Sequence, residues 1–556
     1  MTRIDLPEWQ RAKVRPEKGF PCLCPIRSAK SLASETLKNF FQEINNNKWA
    51  VLIVAVLGNF MALLSSNITN VALPKIMANF GATVDQIEWV VTGYMIAFGI
   101  SIPVTSWLRE VFGLKKLFIA SLTFFCFAAV LCGMAWNKDS LIVFRVLQAL
   151  GAGASVPTGL TLVAESFPPQ QRGVALGVWS IGSMMAPAIG PFLGGYLADE
   201  ISWRAIFYII LPVGAATILG AFLILSSSKK SVPARRFDFI GFFSFAVFLG
   251  ALLIAFSQGQ REGWNSDYIL SCFGFSLLGF VVFIASGLFL EDPIIDLGLF
   301  TNHNFMMTSI INFVRSMATM GSTFLIPLFL QTLMDYKALH TGVILLPTAL
   351  SVAAVSPFSG FISDRIGPKI PMVCGVILLV FSLYCYKDIS INADYWFLFW
   401  PQMIRGIGIG LINAPLVSAS FNAIREEQTS MASGLYNVIH QLGGAFGIAM
   451  LGMILQRREF FHYANYGQQI REVFSPSTSR ALLTMQELLL RYGLEPTEIA
   501  AKGKSLLAQW VHGLAKVAAF QDAFVAAGLF VAVGIVPSLL IRTSQLSSRR
   551  RGGRLH

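Results

Sequence analysis

The sequence predicts an all-α polytopic membrane protein, and two observations support that prediction. Hydrophobic residues make up 54% of the 556 residues and charged residues only 13%, with a mean hydropathy of +0.62. Soluble proteins carry about twice that share of charge, so most of this surface does not face water. The apolar residues also gather into about fourteen runs of the length that a helix needs to cross a bilayer.

The predicted membrane helices follow one another along the chain in three groups. The first six lie at 49–73, 89–108, 115–135, 140–164, 173–198 and 203–227. Two more lie at 239–258 and 268–290, and the last six at 305–334, 341–363, 370–387, 395–420, 430–456 and 523–541. We therefore divide the chain into a tail at 1–48, a six-helix half at 49–227, a linker with two extra helices at 228–304, a second half at 305–541 and a basic tail at 542–556.

The charges of the connecting loops predict the orientation. Every second loop is basic, and these loops carry Arg109, Lys115, Lys116, Arg172, Lys229, Lys230, Arg235, Arg236, Arg365 and Lys369. Positive loops stay in the cytoplasm, so both termini are expected there, which agrees with an even number of helices. The net charge of +12 thus reflects loops between apolar runs and does not indicate nucleic-acid binding.

The loop at 457–522 faces outward in this prediction. It contains KSLLAQWVHGLAKVAAF, in which apolar residues recur at helical spacing. Such a stretch can lie along the membrane interface, contact a partner or form a solvated helical cap, and the sequence leaves these alternatives open.

Neither the N-terminal tail nor the cysteines indicate a cofactor. Residues 1–48 are polar and lack the pattern of a cleavable signal peptide, so the first helix is expected to remain as an anchor. Cys22 and Cys24 have no further metal ligands nearby, and the other cysteines lie in apolar segments. No nucleophile–base pair has suitable spacing either, so neither an enzyme nor a metal site is expected.

The two predicted halves repeat each other. PVTSWLREVFGLKK at 103–116 corresponds to SPFSGFISDRIGPK at 356–369, and RVLQALGAGA at 145–154 corresponds to RGIGIGLINA at 405–414. Two related halves that hold substrate between them near the midplane are typical of secondary transporters. The two helices between 239 and 290 lie outside the repeat, which indicates an insertion.

The first pair of repeated segments predicts a gate. Each copy places a glycine, Gly113 or Gly367, shortly after an acidic residue, Glu110 or Asp364, and Arg365 follows the acid in the second copy. Such an acid and base can pair with a neighbouring helix end in one conformation and release it in another. A static loop that only obeys the positive-inside rule is the alternative.

The fifth predicted helix carries a second gating element. SIGSMMAPAIGPFLGG at 180–195 is apolar enough to cross a membrane, yet it contains Pro187, Gly190, Pro191, Gly194 and Gly195. In lipid such a helix survives because its neighbours satisfy the freed backbone groups. Glycines four residues apart also let another backbone approach closely. We expect a helix that packs tightly and bends, and an ordinary kinked span is the alternative.

Polar residues inside the apolar runs are the candidate substrate-binding residues, because unpaired polar groups are costly in lipid. They are Ser65, Asn67, Asn70, Arg145, Gln148, Asn312, Arg315, Gln402, Arg405, Asn437, His440 and Gln441. Hydrogen bonding between helices explains an isolated Ser, Asn or Gln equally well. The three arginines and the histidine are expected to face a cavity.

The candidate proton-coupling residue is His440. No Asp or Glu lies in the middle of a predicted helix, although proton-coupled carriers commonly use an intramembrane carboxylate as the relay. Histidine ordinarily titrates at about pH 6.5, and a hydrogen-bonded packing histidine is the alternative. Because arginine stays protonated and no midplane carboxylate is available to it, the sequence favours an anionic or weakly acidic substrate.

These segments resemble the major facilitator superfamily, specifically its fourteen-helix drug:proton antiporters of the EmrB type. The resemblance is carried by NVALP at 70–74, RVLQALGAG at 145–153, the stretch at 187–195, WRAIFYIILPVG at 203–214, IIDLGLFTNHNF at 294–305, YKALHTGVILLP at 336–347, GLYNVIHQLGGAFG at 434–447 and RREFFHYA at 457–464. It implies the major facilitator fold and proton-driven export of hydrophobic drugs or weak acids through a bacterial inner membrane. It also implies a periplasmic membrane-fusion adaptor and an outer-membrane channel as partners.

The chain departs from that family at the usual proton site. The family's first helix usually has an aspartate at the position of Ser65, and a basic residue at the position of His440. In the first gate segment Ser106 replaces a glycine and Glu110 replaces an aspartate. The second gate segment keeps the family's residues: Gly360, Asp364, Arg365 and Gly367.

Two further functions remain open at this point. One is transport of a single anionic metabolite such as a siderophore. The other, of a different class, is a sensor or scaffold that kept the fold after losing the coupling carboxylate. Substrate flux in vesicles distinguishes both transport functions from the third.

Overall fold

A computed structural model describes residues 47–226, 236–290, 293–336, 338–425, 428–472 and 496–542, and it contains no strand in those ranges. Fourteen helices there are long and apolar enough to cross a membrane, as the sequence predicts. They are α1 Lys48–Phe80, α2 Val84–Phe112, α3 Leu114–Gly133, α4 Lys138–Ser166, α5 Arg172–Tyr196, α6 Ile210–Ile224, α7 Phe239–Glu262, α8 Asp267–Phe289, α9 His303–Thr332, α10 Ala338–Ile366, α11 Lys369–Cys385, α12 Tyr395–Asn422, α13 Thr429–Glu472 and α14 Pro496–Val533.

Short helical turns extend four of these helices. A π turn at Leu197–Ile201 continues α5, and a single turn at Ala205–Tyr208 leads into α6. A 3₁₀ turn at Tyr386–Asp388 ends α11, and Ile535–Leu540 follows α14. Another 3₁₀ turn, Leu297–Thr301, precedes α9.

Polar caps and glycines set the helix ends. The Asn47 side chain accepts a hydrogen bond from the Trp49 N–H at the start of α1, and Asp394 accepts one from the Phe397 N–H at the start of α12. These caps satisfy backbone donors that have no partner within the helix. Gly113 and Gly367, which follow α2 and α10, have φ angles of 79° and 97°. Only glycine adopts such angles without strain, so the repeated glycine marks the same turn in both halves.

The two six-helix halves share one packing plan. In the N-terminal half α1 packs on α5, α4 packs on α2 and α3, and α3 also packs on α6. In the C-terminal half α9 packs on α13, α12 packs on α10 and α11, and α11 also packs on α14. Each of these pairs thus has a counterpart in the other half, as expected of an internal repeat. The extensive packing of α13 on α14 is an exception, because the described residues of α5 and α6 have no comparable contact.

The halves meet mainly along four pairs of helices in the described part of the chain. The largest contact joins α5 to α10, and the others join α2 to α13, α5 to α12 and α4 to α13. The inserted helix α7 lies against both α2 and α13, and α8 packs on α7. Ser257 on α7 lies between two residues of α2, donating to Glu88 Oε1 at 2.8 Å and contacting Thr92 Oγ1 at 3.0 Å. The insertion therefore lies beside the α2–α13 contact.

The structure corrects the prediction for the segment 457–522. In its described parts this segment is a continuation of two membrane helices, because α13 runs on to Glu472 and α14 begins at Pro496. Asp522 on α14 binds two residues of α13, at 2.6 Å from Arg458 Nε and 2.6 Å from His462 Nε2. Charged pairs of this kind lower the hydropathy of the helix extensions, so a search for apolar runs ends too early.

Several predicted features lie outside the described residues. They are the tail at 1–46 with Cys22 and Cys24, the basic residues Lys229, Lys230 and Arg235, the centre of the segment 457–522 and the C-terminal residues from 543 onward.

Candidate functional site

Arg145 is buried in the N-terminal half, where α4 faces α1 and α2. Its Nη1 donates to Ser65 Oγ at 3.1 Å and to Gln148 Oε1 at 2.8 Å, and its Nε lies 3.5 Å from the Val90 carbonyl oxygen. The guanidinium carbon lies 4.2 Å from the centre of the Tyr94 ring. Arg145 is only 1% exposed, and each of these acceptors is neutral. Three predicted site residues, Ser65, Arg145 and Gln148, are therefore in contact.

Arg405 forms a related centre in the C-terminal half, where α12 faces α9 and α10. Its Nη1 donates to Gln402 Oε1 at 3.3 Å, one turn away on the same helix. Its Nη2 donates to the Thr319 carbonyl at 3.0 Å and to the Thr323 hydroxyl. Thr348 on α10 donates its hydroxyl hydrogen bond to Gln402. Each half thus buries an arginine of its fourth helix against a hydroxyl of its first.

Arg315 on α9 is the third buried arginine. Its Nη1 donates to Asn413 Oδ1 on α12 at 2.7 Å, and its Nη2 donates to Asn312 Oδ1 at 3.1 Å. The Asn312 amide in turn donates to the Tyr436 carbonyl on α13 at 2.8 Å. Arg315 therefore joins three helices of the C-terminal half, α9, α12 and α13.

His440 lies beside the Arg315 centre. The hydroxyl of Ser316, which follows Arg315 on α9, is 2.5 Å from His440 Nδ1 and 2.5 Å from the His440 carbonyl oxygen. His440 is half-buried, so its ring is not sealed within the bundle. His440, the one titratable residue of the polar stripe predicted on α13, thus lies next to the fixed positive charge of Arg315.

The remaining predicted polar residues do not join these centres. Asn67 donates to the Leu63 carbonyl and Asn437 donates to the Ser433 carbonyl, each within its own helix. Asn70 is exposed and Gln441 is half-buried. For Asn67 and Asn437 local helix hydrogen bonding accounts for the side chain, and a substrate role for these four residues stays a prediction.

Asp364 joins the two halves at the predicted gate. Its carboxylate accepts hydrogen bonds from the Gly173 N–H at 3.1 Å and the Val174 N–H at 3.3 Å, in the first turn of α5. A carboxylate at a helix N-terminus satisfies free backbone donors and interacts favourably with the helix dipole. The adjacent Arg365 lies over the Phe361 ring at 4.2 Å. The acid of the second gate segment therefore meets the end of a neighbouring helix, and its release in another conformation stays a prediction.

The first gate segment makes its ion pair inside one half. Arg109 Nη2 lies 2.5 Å from Glu165 Oε1, at the ends of α2 and α4, and both side chains are partly exposed. Glu110 lies beside it in the last turn of α2, where Gly113 ends the helix. The two copies therefore share a turn but bind different partners.

Glycines bring α5 close to two different helices. A Cβ added at Gly173 would lie 2.5 Å from the Gly360 carbonyl oxygen, and one at Gly177 would lie 2.5 Å from the Ser356 carbonyl oxygen, both on α10. At the other end of α5, a Cβ at Gly190 or Gly194 would lie within 3.0 Å of α1 atoms, as the predicted close packing requires.

The other three positions of that predicted hinge, Gly195, Pro187 and Pro191, differ from Gly190 and Gly194. Gly195 has only Val71 within 4.0 Å of an added Cβ. The α5 helix continues through Pro187 and Pro191 as far as Tyr196, although the Pro191 side chain lies outside the described part. A bending role for these prolines stays a prediction.

Sequence reasoning missed further contacts between the halves. Arg172 Nη1 donates to Asn422 Oδ1 at 3.1 Å, and Ser433 Oγ donates to the Pro157 carbonyl at 3.0 Å. Gly173 and Gly177 have the same four-residue spacing as Gly190 and Gly194, so that signal was available for the α5–α10 contact. The Arg172–Asn422 and Ser433–Pro157 contacts left no comparable signal, because their partners are far apart in the chain.

Comparisons with known proteins agree with this architecture. The profile of the Major Facilitator Superfamily matches residues 55–448. The multidrug export protein EmrB of Escherichia coli K12 is 30% identical over 488 residues, which cover 87% of this chain and 94% of that protein. The fatty acid resistance protein FarB of Neisseria gonorrhoeae is 30% identical over 423 residues, 76% of this chain and 83% of its own.

Two further comparisons cover more of the chain. An uncharacterized MFS-type transporter of Bacillus subtilis, YhcA, is 29% identical over 510 residues, 91% of this chain and 95% of that protein. The crystal structure of the human organic anion transporter MFSD10 superposes with a TM-score of 0.58 at 12% identity, covering 88% of this chain and 99% of that one. At that identity the structural likeness establishes the fold alone.

Proposed function

Since the chain belongs to the major facilitator superfamily, we propose that this transporter exports hydrophobic drugs or weak acids from a bacterium in exchange for protons. The names of two relatives, a multidrug export protein and a fatty acid resistance protein, support this substrate class. The proposal places the protein in the inner membrane with both termini in the cytoplasm, because positive loops stay on that side.

The single observation that carries the proposal is the bond from Asp364 to the start of α5. It connects the two halves, and the Asp364 carboxylate accepts there from only two backbone N–H groups at one helix end. Such a contact can break without disturbing either helix. We propose that the halves, 49–227 and 305–541, rock about the substrate, and that this contact holds the cytoplasmic side closed in one state of the cycle.

The polar centre of the C-terminal half is the proposed substrate and proton site. Arg315 holds its position through Asn312 and Asn413, which are neutral, so its charge remains available to an anionic group of the substrate. His440 lies next to it and is half-buried. A proton on His440 and an anion beside Arg315 would change each other's affinity, so the two sites are coupled in this proposal.

We also propose partners on the outer side. The extensions of α13 and α14 are held together by Asp522 and carry exposed aromatic side chains, among them Phe460 and Trp510. Exposed apolar residues on a polar extension are typical of protein contact sites. A periplasmic membrane-fusion adaptor, with an outer-membrane channel beyond it, is the partner that the family resemblance implies.

The transport proposal is tested in proteoliposomes that contain the purified full chain. Radiolabelled octanesulfonate is a suitable probe because it stays anionic and does not cross bilayers as a neutral acid. A pH gradient is imposed in each direction. Octanesulfonate should move against the proton flow and stop when the gradient is collapsed. Equal movement in both gradients, or none with the protein folded and correctly inserted, contradicts proton-driven export.

Charge selection is tested by a matched pair of probes. Octanesulfonate and octyltrimethylammonium have the same alkyl chain and opposite charge. The variant Arg315→Gln should lose octanesulfonate transport by about tenfold or more, the effect of one charged hydrogen bond, while octyltrimethylammonium transport changes little. Equal loss of both probes, or preferred transport of the cation by the wild type, contradicts an anionic substrate at Arg315.

A further inference from the structure

We propose that the N-terminal half binds one small inorganic anion, chloride in the cell, between the side chains of Arg145 and Gln148. This site is separate from the proposed substrate site at Arg315, and it does not depend on which compound the protein exports. Its function is to balance a buried positive charge that no carboxylate balances within the described part of the chain.

The first argument is the charge of Arg145. Its side chain is 1% exposed, and a guanidinium keeps its proton in proteins. Its acceptors are the Ser65 hydroxyl, the Gln148 amide oxygen and the Val90 carbonyl, and it lies over the Tyr94 ring. These groups offer dipoles and a ring face but no negative charge. A buried ion without a counterion is costly, so a mobile anion lowers the free energy of the folded protein.

The second argument is the set of donors without a partner. Arg145 Nη2 and Gln148 Nε2 are both buried and have no hydrogen-bond partner among the described residues. Arg145 Nη2 is bonded to the same carbon as Nη1, and Gln148 Nε2 is bonded to the same carbon as Oε1. Both nitrogens therefore lie beside the 2.8 Å hydrogen bond from Nη1 to Oε1. That bond also fixes which way the amide points, because the oxygen must face the guanidinium. Two adjacent N–H donors, one of them charged, are the chemistry that binds an anion.

The third argument concerns size. Ser65 and Gln148 are each fully buried, with 0% exposure, so this conformation leaves no open path for the carboxylate of a bulky substrate. The Cys132 thiol, 3.9 Å from Gln148 Oε1, and the Tyr94 ring close the surroundings with groups that are ordinarily neutral. A monatomic anion needs the least space. Chloride is therefore the ligand that this chemistry favours.

The experiment measures radiolabelled chloride by equilibrium dialysis against the purified full chain, in sodium gluconate at constant ionic strength. The wild type should bind one chloride per chain, saturably. Ser65→Asp places a carboxylate where a hydroxyl now lies 3.1 Å from Arg145 Nη1, and it should weaken chloride binding at least about tenfold. The matched variant Ser65→Asn has nearly the same shape without the charge, and it should keep binding.

A second variant covers the case in which Ser65→Asp does not fold. Gln148→Glu keeps the acceptor of Arg145 and replaces the unpartnered nitrogen with an oxygen, so it too should lose chloride. Failure of the folded wild type to bind chloride means that water alone fills the site and overturns the proposal. Chloride binding that survives both acidic variants also overturns it.

A competition experiment separates the two possible sources of a bound anion. Bromide should displace labelled chloride, and octanesulfonate should not, because the site is closed to a bulky group. One-for-one displacement by octanesulfonate would assign the anion-binding chemistry to the substrate and refute an inorganic site. Since the assay needs no transport, its outcome is independent of whether export is observed in proteoliposomes.

Discussion

Among the described residues, Arg145 in the N-terminal half has no partner for its terminal nitrogen Nη2, whereas Arg405 in the C-terminal half has none for Nε and binds through both terminal nitrogens. The gate segments differ in a similar way. Arg109 pairs with Glu165 inside its own half, while Asp364 reaches across to α5 of the other half. These contrasts occur although most helix pairs have a counterpart in the other half.

The repeat preserves most of the helix packing and the turn glycines, but it does not preserve the polar contacts. Gly113 and Gly367 both end their helices with a positive φ angle. The C-terminal half has Asp364, whose contact we propose opens, together with Arg315 and His440. The N-terminal half has an enclosed arginine in place of such a centre. We infer that the moving and coupling parts are unequally divided, and four predictions test this.

The largest effect is expected where the halves touch through glycine. A Cβ at Gly360 would lie 2.0 Å from the Gly173 carbonyl oxygen, which is backbone and cannot move aside alone. The variant Gly360→Ser should therefore lower octanesulfonate flux about a hundredfold, because overpacking of this kind costs up to about 3 kcal/mol. Flux is measured in proteoliposomes at matched protein content.

The control for Gly360→Ser is its counterpart in the first copy, Ser106. Across the α2–α13 contact, a Cβ at Gly434 would lie 3.9 Å from Ser106 Oγ, so this contact is loose. Ser106→Gly should change flux less than about twofold. Equal and large losses of flux in both variants would show that the α5–α10 contact and the α2–α13 contact are equivalent.

The next effect concerns the carboxylate of the gate. Asp364→Asn keeps the shape of the side chain but removes the charge that two backbone N–H groups share. Flux should fall about tenfold, since a hydrogen bond to a charged group contributes about 1.5–3 kcal/mol, while substrate affinity stays near the wild-type value. Glu165→Gln is the control, because its partly exposed pair with Arg109 contributes at most about 1 kcal/mol. Unchanged turnover in Asp364→Asn speaks against a gate.

The third prediction locates proton coupling in the C-terminal half. His440→Gln retains hydrogen-bonding groups but cannot take up a proton, so flux should lose its dependence on pH. Ser316→Ala removes the hydroxyl bound to His440 and keeps the ring, so it should keep that dependence. Full pH dependence in His440→Gln would move the relay elsewhere, with Glu110 and Glu165 as the next candidates.

The sequence was sufficient to predict the helices and the positions of the buried charges. Apolar runs reveal membrane helices because lipid contact requires length and hydrophobicity, and the repeated glycine reveals the turn at Gly367. The burial of Arg145, Arg315 and Arg405 follows from their place in those runs. The prediction failed at the ends of α13 and α14, where charged residues such as Arg458 continue a helix beyond its apolar part.

The partners of the buried groups were not predictable in the same way. Asn422 is 250 residues from Arg172 along the chain, and Ser433 is 276 residues from Pro157. Which acceptor an arginine finds depends on how distant helices are rotated against each other, and no local pattern records that rotation. The difference between Arg145 and Arg405 therefore appears only in three dimensions.

The smallest expected effect tests the two arginine centres directly. Ser65→Ala and Thr323→Val each remove one hydroxyl acceptor from a buried arginine. Arg405 Nη2 keeps the Thr319 carbonyl after the change, so Thr323→Val should lower the melting temperature by no more than about 2 °C. Arg145 already has one terminal nitrogen without a protein partner, and Ser65→Ala should cost more. The difference in melting temperature between the two variants should be larger in gluconate than in chloride, because a bound anion replaces part of the lost interaction. If both variants shift the melting temperature equally, and by the same amount in gluconate and in chloride, the two halves stabilise their arginines alike.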